Sequence, residues 1–342
     1  MLETLSEWKR FHGRVTMSTI RDVAARAGVA LGTASRVLSG STQTSPDARA
    51  RVLTAAAELN YIANGPARSL RRAKTDVIGL IVSDIRNTFY SEVAHAAEQE
   101  AERQGYTVLL ANANEDQDAV DGYLRTFASQ RIDGLLLSPQ GGRTPQLDEF
   151  LRSSLPLVLL NRTAPNVDAP TIGSDNADGV EQTLAWLQRH GHRDVVFIAG
   201  PETISTSVER SATWHALADR YGVATDDDLI EHGDYQADGA RAAMERVFER
   251  GTPFTAVVGA NGPSTLGVMR ALRDHDAAST PIASLDDQDW FEFVTPPVSA
   301  VRNDAAAIGR DGVRALIRRI NGQDVGSERL PVTFVDRSAA PA

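Results

Sequence analysis

From residue 77 onward, short unbroken apolar runs alternate with segments of helical period, and this alternation limits the chain to few folds. The runs are Val77 to Val82, Val108 to Leu110, Leu135 to Leu137 and Leu157 to Leu160, then Val195 to Ile198, Ala256 to Val258 and Ile282 to Leu285. Helical periodicity lies near 91–104, 118–130, 176–190, 209–221, 237–250 and 264–275, with a further helix near 304–320. Strands apolar on both faces need cover on both faces, which means parallel sheet in α/β units. The runs exceed one comfortable sheet, so two doubly wound lobes are predicted. Open parallel sheets bind ligands beyond the carboxyl ends of their strands, which directs attention to Asp84, Asn161, Arg162, Asn261 and Asp286.

The N-terminal part reads differently. Residues 1–16 show no clear pattern and lack the apolar core and the cleavage site of a signal peptide, and Met17, immediately before a helix-start signal, is the expected biological start. Thr19 is a good N-cap with Asp22 three residues on, and Ile20, Val23, Ala24 and Ala27 share a helical face. Gly28 breaks that helix. A second short helix runs from about Leu31 to Leu38, with Ala34, Val37 and Leu38 inward. Ser45 and Pro46 start a third, whose predicted stripe is Val52, Leu53, Ala56 and Leu59. A helix, a tight turn and a second short helix make a helix-turn-helix, whose second helix enters the major groove. Its leading residues are Leu31, Gly32, Thr33, Ser35 and Arg36. Arg36 can donate twice to a guanine edge, Leu31 can pack on a thymine methyl, and Thr19, Thr33 and Ser35 suit phosphates.

Charge supports this division. Residues 1–75 carry 12 Lys and Arg against 5 Asp and Glu, and the rest carry 23 against 40, so a head of +7 precedes a body of −17 within the total of −10. A polyanion should meet only the head. The absence of cysteine excludes disulfides and thiolate metal sites and fits a reducing cytoplasm. No apolar run is long enough to span a bilayer, so no membrane partner is expected.

The run TIRDVAARAGVALGTASRVLSG, from Thr19 to Gly40, resembles the head of the LacI/GalR family of bacterial regulators. The resemblance continues through VLTAAAELNYIANGPARSL, VIGLIVSDIRNTFYSEV, RIDGLLLSP, GSDNADG, LQRHGHRDVVFIAGP, ERSATWHAL and LDD. It implies a helix-turn-helix domain over 17–62, a hinge over 63–75, and an effector-binding body over 76–342 with two α/β lobes of periplasmic-binding-protein type. The N-lobe would span about 76–174 plus 302–325, and the C-lobe about 175–301 plus 326–342. It further implies a cytoplasmic homodimer, without cofactor, metal or catalytic residues, on a near-palindromic DNA operator. In ANGPARSL, Leu70 matches the leucine wedged into the central base step, with Ala67 beside it and Asn64 opening the segment. The bland alternative for Leu70 is a buried linker residue.

The same resemblance places an effector between the lobes. Asp84, Phe89 and Tyr90 match the N-lobe pocket segment, and Asn161 a polar pocket position. Arg210 matches the effector arginine, Tyr235 an aromatic position, and Asn261 and Asp286 polar strand ends. Paired donors, a carboxylate and aromatic faces together fit a sugar or sugar derivative. The residues alone leave bland readings open: Arg210 as a surface arginine, Asp286 as a loop cap, and only one of the neighbours Phe89 and Tyr90 facing the ligand. Five positions depart from the family pattern: Ala30 for a serine cap, Gly32 at a base-reading position, Ala34 for valine, Thr88 for proline, and Gly262 for aspartate. Rival classes fare worse. The turn SDIRNT after the first strand has neither GxGxxG nor a P-loop, GxSxG and HExxH are absent, and a secreted solute-binding protein would need a signal sequence and no head. The expectation is a DNA-binding repressor controlled by a sugar-like effector.

Overall fold

The computed structural model describes residues 18–39, 41, 43–61 and 74–338. The chain divides into two compact units, Met1–Thr75 and Asp76–Ala342. Residues 1–16, Met17 and the hinge positions Asn64, Ala67 and Leu70 lie outside the described residues.

The head holds three helices, α1 (Ile20–Ala27), α2 (Leu31–Leu38) and α3 (Pro46–Glu58). Thr19 and Asp22 form a reciprocal capping box, the Thr19 hydroxyl accepting from the Asp22 amide and the Asp22 carboxylate accepting from the Thr19 amide. Gly28 ends α1 with φ +63°, a left-handed conformation that costs glycine little. Ala30 caps α2 without any side-chain hydrogen bond, so the serine lost here is not replaced. The core is small: Val23, Ala24, Ala27, Ala34, Val37, Val52 and Ala55. Leu53, expected in the buried stripe, is half-exposed at 51%. Helical spacing sets Ala48, Val52 and Ala55 on the inner face and turns Leu53 aside.

The body begins with β1 (Val77–Val82), α4 (Thr88–Arg103), β2 (Thr107–Asn112), α5 (Gln117–Gln130), β3 (Gly134–Leu137), α6 (Pro145–Arg152), β4 (Leu157–Leu160) and β5 (Thr171–Ser174). It continues with α7 (Asn176–Arg189), β6 (Val195–Ala199), α8 (Ser205–Leu217), β7 (Ile230–His232), α9 (Ala237–Arg250), β8 (Ala256–Gly259), α10 (Gly262–Asp274), β9 (Ile282–Ser284) and β10 (Ser299–Arg302). The last elements are α11 (Ala305–Ile320), β11 (Glu328–Leu330) and β12 (Thr333–Val335). One sheet has the order β11-β5-β4-β3-β1-β2 and the other β12-β10-β9-β8-β6-β7. Every pairing is parallel except β10 with β12.

The chain passes between the sheets three times, after β5, after β10 and after β11. The last passage corrects an expected boundary. Residues from 326 onward were assigned to the C-lobe, yet Glu328–Leu330 pairs with β5 in the first sheet, and only β12 joins the second. A three-residue edge strand with two exposed side chains carries no apolar run to betray it.

Helices cover both faces of each sheet. In the first, α4 and α11 share one apolar cluster with the strands, while α5 and α6 pack into the other. In the second, α7 and α8 take one face and α9 and α10 the other. Gly309 of α11 lies against the Val93 carbonyl of α4, where an added Cβ would overlap backbone. Gly309→Ala should therefore lower the stability of the body by about 1–3 kcal/mol, since backbone cannot yield as a side chain would. Urea unfolding followed by tryptophan fluorescence checks it, and an unchanged midpoint would show that the two helices can part.

Candidate functional site

In the head, Ala34 and Val37 turn α2 inward, leaving Leu31 at 45% exposed and Arg36 exposed. A Cβ at Gly32 would meet no atom within 4 Å, so this position offers only backbone. Thr33 and Ser35 are half-buried, and Thr19 is exposed at the start of α1. Arg36 folds along its own helix, Nε donating to the Gly32 carbonyl at 3.3 Å and Nη2 to Thr33 Oγ1 at 3.5 Å. These contacts are weak enough to be exchanged for a base edge.

In the body, the carboxyl ends of the two sheets meet. Asp84, just past β1, accepts from Arg86 and from Gln236 Nε2 at 3.0 Å, and Gln236 precedes α9 in the other lobe. Arg86 Nη2 in turn donates to Gln236 Oε1 at 3.0 Å. Burial opposes the charge on Asp84, but the donors prevail and hold its carboxyl below the ordinary 3.8. Thr88 Oγ1 donates to Gln288 Oε1 across the same gap. The Thr163 amide donates to Ser205 Oγ at 2.8 Å.

Arg210, far from lying on the surface, is 6% exposed. Its Nε donates to Asn176 Oδ1 at 2.9 Å, Nη1 to the Ala260 carbonyl at 2.6 Å, and Nη2 to Asp286 Oδ1 at 3.3 Å. Asp286 also accepts from Asn303 Nδ2 at 3.1 Å, and burial raises its carboxyl although Arg210 pulls the other way. Tyr235 takes φ +63° and lies over Gly200, where any Cβ would overlap its ring. Such a conformation is costly for a bulky residue and has to be held by its surroundings. Burial pushes its phenol up from 10.0, and the hydroxyl meets Thr206 Oγ1 at 3.1 Å.

Asn261 caps α10, accepting from the Ser264 amide at 2.8 Å and donating to the Tyr235 carbonyl at 3.1 Å. Both ends of its amide are thus engaged within the protein. Asn161, half-buried with φ +60°, accepts from the Ser174 amide at 3.5 Å. Phe89 and Tyr90 are both buried and meet edge to face with centroids 5.0 Å apart. The Tyr90 hydroxyl, accepting from Ser138 Oγ at 3.0 Å, is the one that reaches the polar strand ends. Trp214 is fully buried and stacks on Phe197 at 4.6 Å, which makes it core.

The residue least visible as a site member in the sequence is Arg162. It is 3% exposed, with its guanidinium carbon 5.7 Å from the Tyr90 ring centroid and 5.3 Å from that of Tyr235. Its place after β4 was the only signal. Two departures from the family pattern converge on Gln288: Thr88 bonds it, and a Cβ at Gly262 would lie 2.6 Å from its amide.

Residues 75–284 match the family described as periplasmic binding proteins and sugar binding domain of LacI family, and residues 19–64 match bacterial regulatory proteins, lacI family. The HTH-type transcriptional regulator PtxS of Pseudomonas aeruginosa is 32% identical over 94% of this chain and 93% of its own. The lac repressor dimer bound to operator and the anti-inducer ONPF has a TM-score of 0.82 at 25% identity, over 95% of this chain and 99% of that one. The transcriptional regulator CelR–cellobiose complex has a TM-score of 0.69 at 29% identity, over 94% and 100%.

The low carboxyl of Asp84 has a signed consequence. Its contribution to stability is complete above the unfolded value and is lost as pH falls through the lower folded one. Asp84→Asn lacks that contribution, so its deficit against the parent should be largest near pH 6 and shrink as the pH falls below 3.8 and through the lower folded value. Unfolding free energies measured across that range check this, and a deficit independent of pH would remove the Asp84–Arg86–Gln236 contact as its source.

Proposed function

Since the chain belongs to the LacI family of bacterial regulatory proteins, it is a DNA-binding transcriptional regulator and not an enzyme, and we propose that it is a repressor whose operator affinity is set by a saccharide bound between its two lobes. The observation that carries this reading is the buried Arg210–Asp286 pair, whose charges act on the buried phenol of Tyr235 at the strand ends of the C-lobe. A guanidinium and a carboxylate bind vicinal hydroxyls, and aromatic faces cover the apolar side of a sugar ring. CelR is seen with cellobiose, and the lac repressor dimer with operator and ONPF, which supports this ligand class and a dimer on DNA.

The head reads sequence through α2. Arg36 addresses a guanine, Leu31 a thymine methyl, and Thr19, Thr33 and Ser35 the phosphates. Gly32 leaves one base pair weakly read. By the family resemblance, Leu70, Ala67 and Asn64, outside the described residues, are the positions that would meet the minor groove, where an apolar wedge bends the duplex. Two heads in a homodimer meet a near-palindromic operator whose half-sites are spaced by whole helical turns. The effector shifts the regulator only through its different affinity for the DNA-gripping and DNA-releasing states. Contacts across the cleft, such as Gln236 with Asp84, belong to one lobe arrangement and are the means of that difference.

Fluorescence anisotropy on a labelled fragment upstream of the protein's own coding region tests the scheme. Affinity should exceed that for random duplex and fall by about 0.9 log unit per neutralised phosphate for each tenfold rise in salt. Arg210→Ala, assayed below its unfolding temperature, should keep DNA affinity while losing release by saccharide. A variant that still releases would remove Arg210 from the effector site, and no preference over random duplex would overturn the operator reading.

A further inference from the structure

The N-lobe has a second recess at the amino ends of its strands, the ends opposite the cleft. A cavity of about 500 Å³ opens where α6 and α11 finish and β4 begins. Leu151, Leu155 and Leu157 form its apolar wall, and Arg319, Asp168 and Asp324 are among its polar lining. Arg319 stands in the last turn of α11. Its Nε is a buried donor without a partner, and no carboxylate among the described residues lies within 4.0 Å of its guanidinium. Arg162 and Arg210, the buried arginines of the cleft, are each closed by a carboxylate. An unpaired buried donor is costly, so a guanidinium left open beside a cavity calls for an acceptor from outside the chain.

The rest of the lining asks for the opposite charge. Asp168 makes no hydrogen bond or ion pair with any described residue, and the Asp324 carboxylate accepts only from the neighbouring Val325 amide. Two helices end at the cavity, and their dipoles add partial negative charge there. A bare anion would suit Arg319 but meet two carboxylates and two helix carboxyl ends. A bare cation would suit those and be repelled by Arg319. A zwitterion pairs with both, and the leucine wall adds a place for an apolar chain. Its carboxylate can take two parallel N–H bonds, from Nε and one Nη, once the side chain turns that edge to the cavity.

The recess is also joined to the point where the chain enters the body. The carbonyl of Pro156, in the lining, accepts from the Leu135 amide of β3 at 2.9 Å. Two residues earlier, the Asp133 carboxylate accepts from the Asp76 amide at 2.8 Å, and the Asp133 amide donates to the Val77 carbonyl at 2.7 Å. Asp76 is the first residue of the body, and only β3 separates β1 from β4.

We propose that this recess is a second small-molecule site, taking an apolar α-amino acid whose carboxylate pairs with Arg319 and whose ammonium meets Asp168 and Asp324, and that its occupant changes DNA affinity through the chain's entry into the body. The site stands apart from the cleft and does not depend on what the cleft binds.

The test is isothermal titration of the full chain with leucine, valine, methionine and phenylalanine, with DNA affinity followed by anisotropy on the same samples. At least one of the four should bind the parent. Its amide and its deaminated acid, each lacking one charge, should bind at least about tenfold more weakly. Arg319→Gln should lose affinity for the amino acid by about tenfold or more, with an unfolding temperature near the parent's. Asp168→Asn, a change on an exposed loop, should narrow the gap between the amino acid and its deaminated acid, a split that a general loss of structure would not give. DNA affinity of the parent should change by about fivefold or more on saturation, and that of Arg319→Gln should not at the same concentration. If none of the four binds the parent, or if Arg319→Gln binds like the parent, the site is overturned. If the amino acid binds but DNA affinity stays constant, the link to the chain's entry is overturned.

Discussion

A guanidinium buried as deeply as Arg210 persists only where acceptors surround it, and the acceptors come from three separate stretches of chain. Asn176 begins the first helix after the passage out of the N-lobe, Ala260 ends a strand of the second sheet, and Asp286 follows another. Removing any one partner leaves a charge or a dipole stranded in low dielectric. The pair therefore ties α8, β8 and β9 together at the strand ends. Asn303, reaching Asp286 from the passage back to the N-lobe, ties the connection between lobes into the same network.

Topology does the rest. Parallel strands end on the same side, so each sheet presents its polar strand-end residues along one edge. The passages after β5, β10 and β11 bring those two edges opposite each other. Between β7 and α9 the chain accepts a left-handed Tyr235, and Gln236, although it stands at the cap position of α9, makes no side-chain cap bond while its amide reaches Asp84 and Arg86. Local helix stability has been traded there for a contact across the gap.

How much of this the sequence disclosed depended on the length of each signal. The long apolar runs of β1, β4 and β6 and the helices around them could be read directly. The strands β5, β7, β10, β11 and β12 could not, because three or four residues with mixed polarity carry no period. The helix α6, eight residues long, was missed for a similar reason. Strand-end logic and family resemblance named Asp84, Arg210, Tyr235 and Asp286, and all four are buried. Arg162 was within reach as a strand-end residue, but its meaning lies in Glu115 and Gln140, which are 47 and 22 positions away and which no pattern connects to it. Asn261 shows the converse: its cap role uses the very groups that a ligand would need.

The meeting of Thr88, Gly262 and Gln288 makes three positions depend on one another. Each of the first two looks like an isolated departure from the family pattern, yet a side chain at 262 would strike the Gln288 amide, and proline at 88 would offer it no hydroxyl. Aspartate at 262 alone would displace the glutamine, and proline at 88 alone would take away its hydroxyl partner. The arrangement is therefore one packing unit, whose members can be exchanged without loss only together.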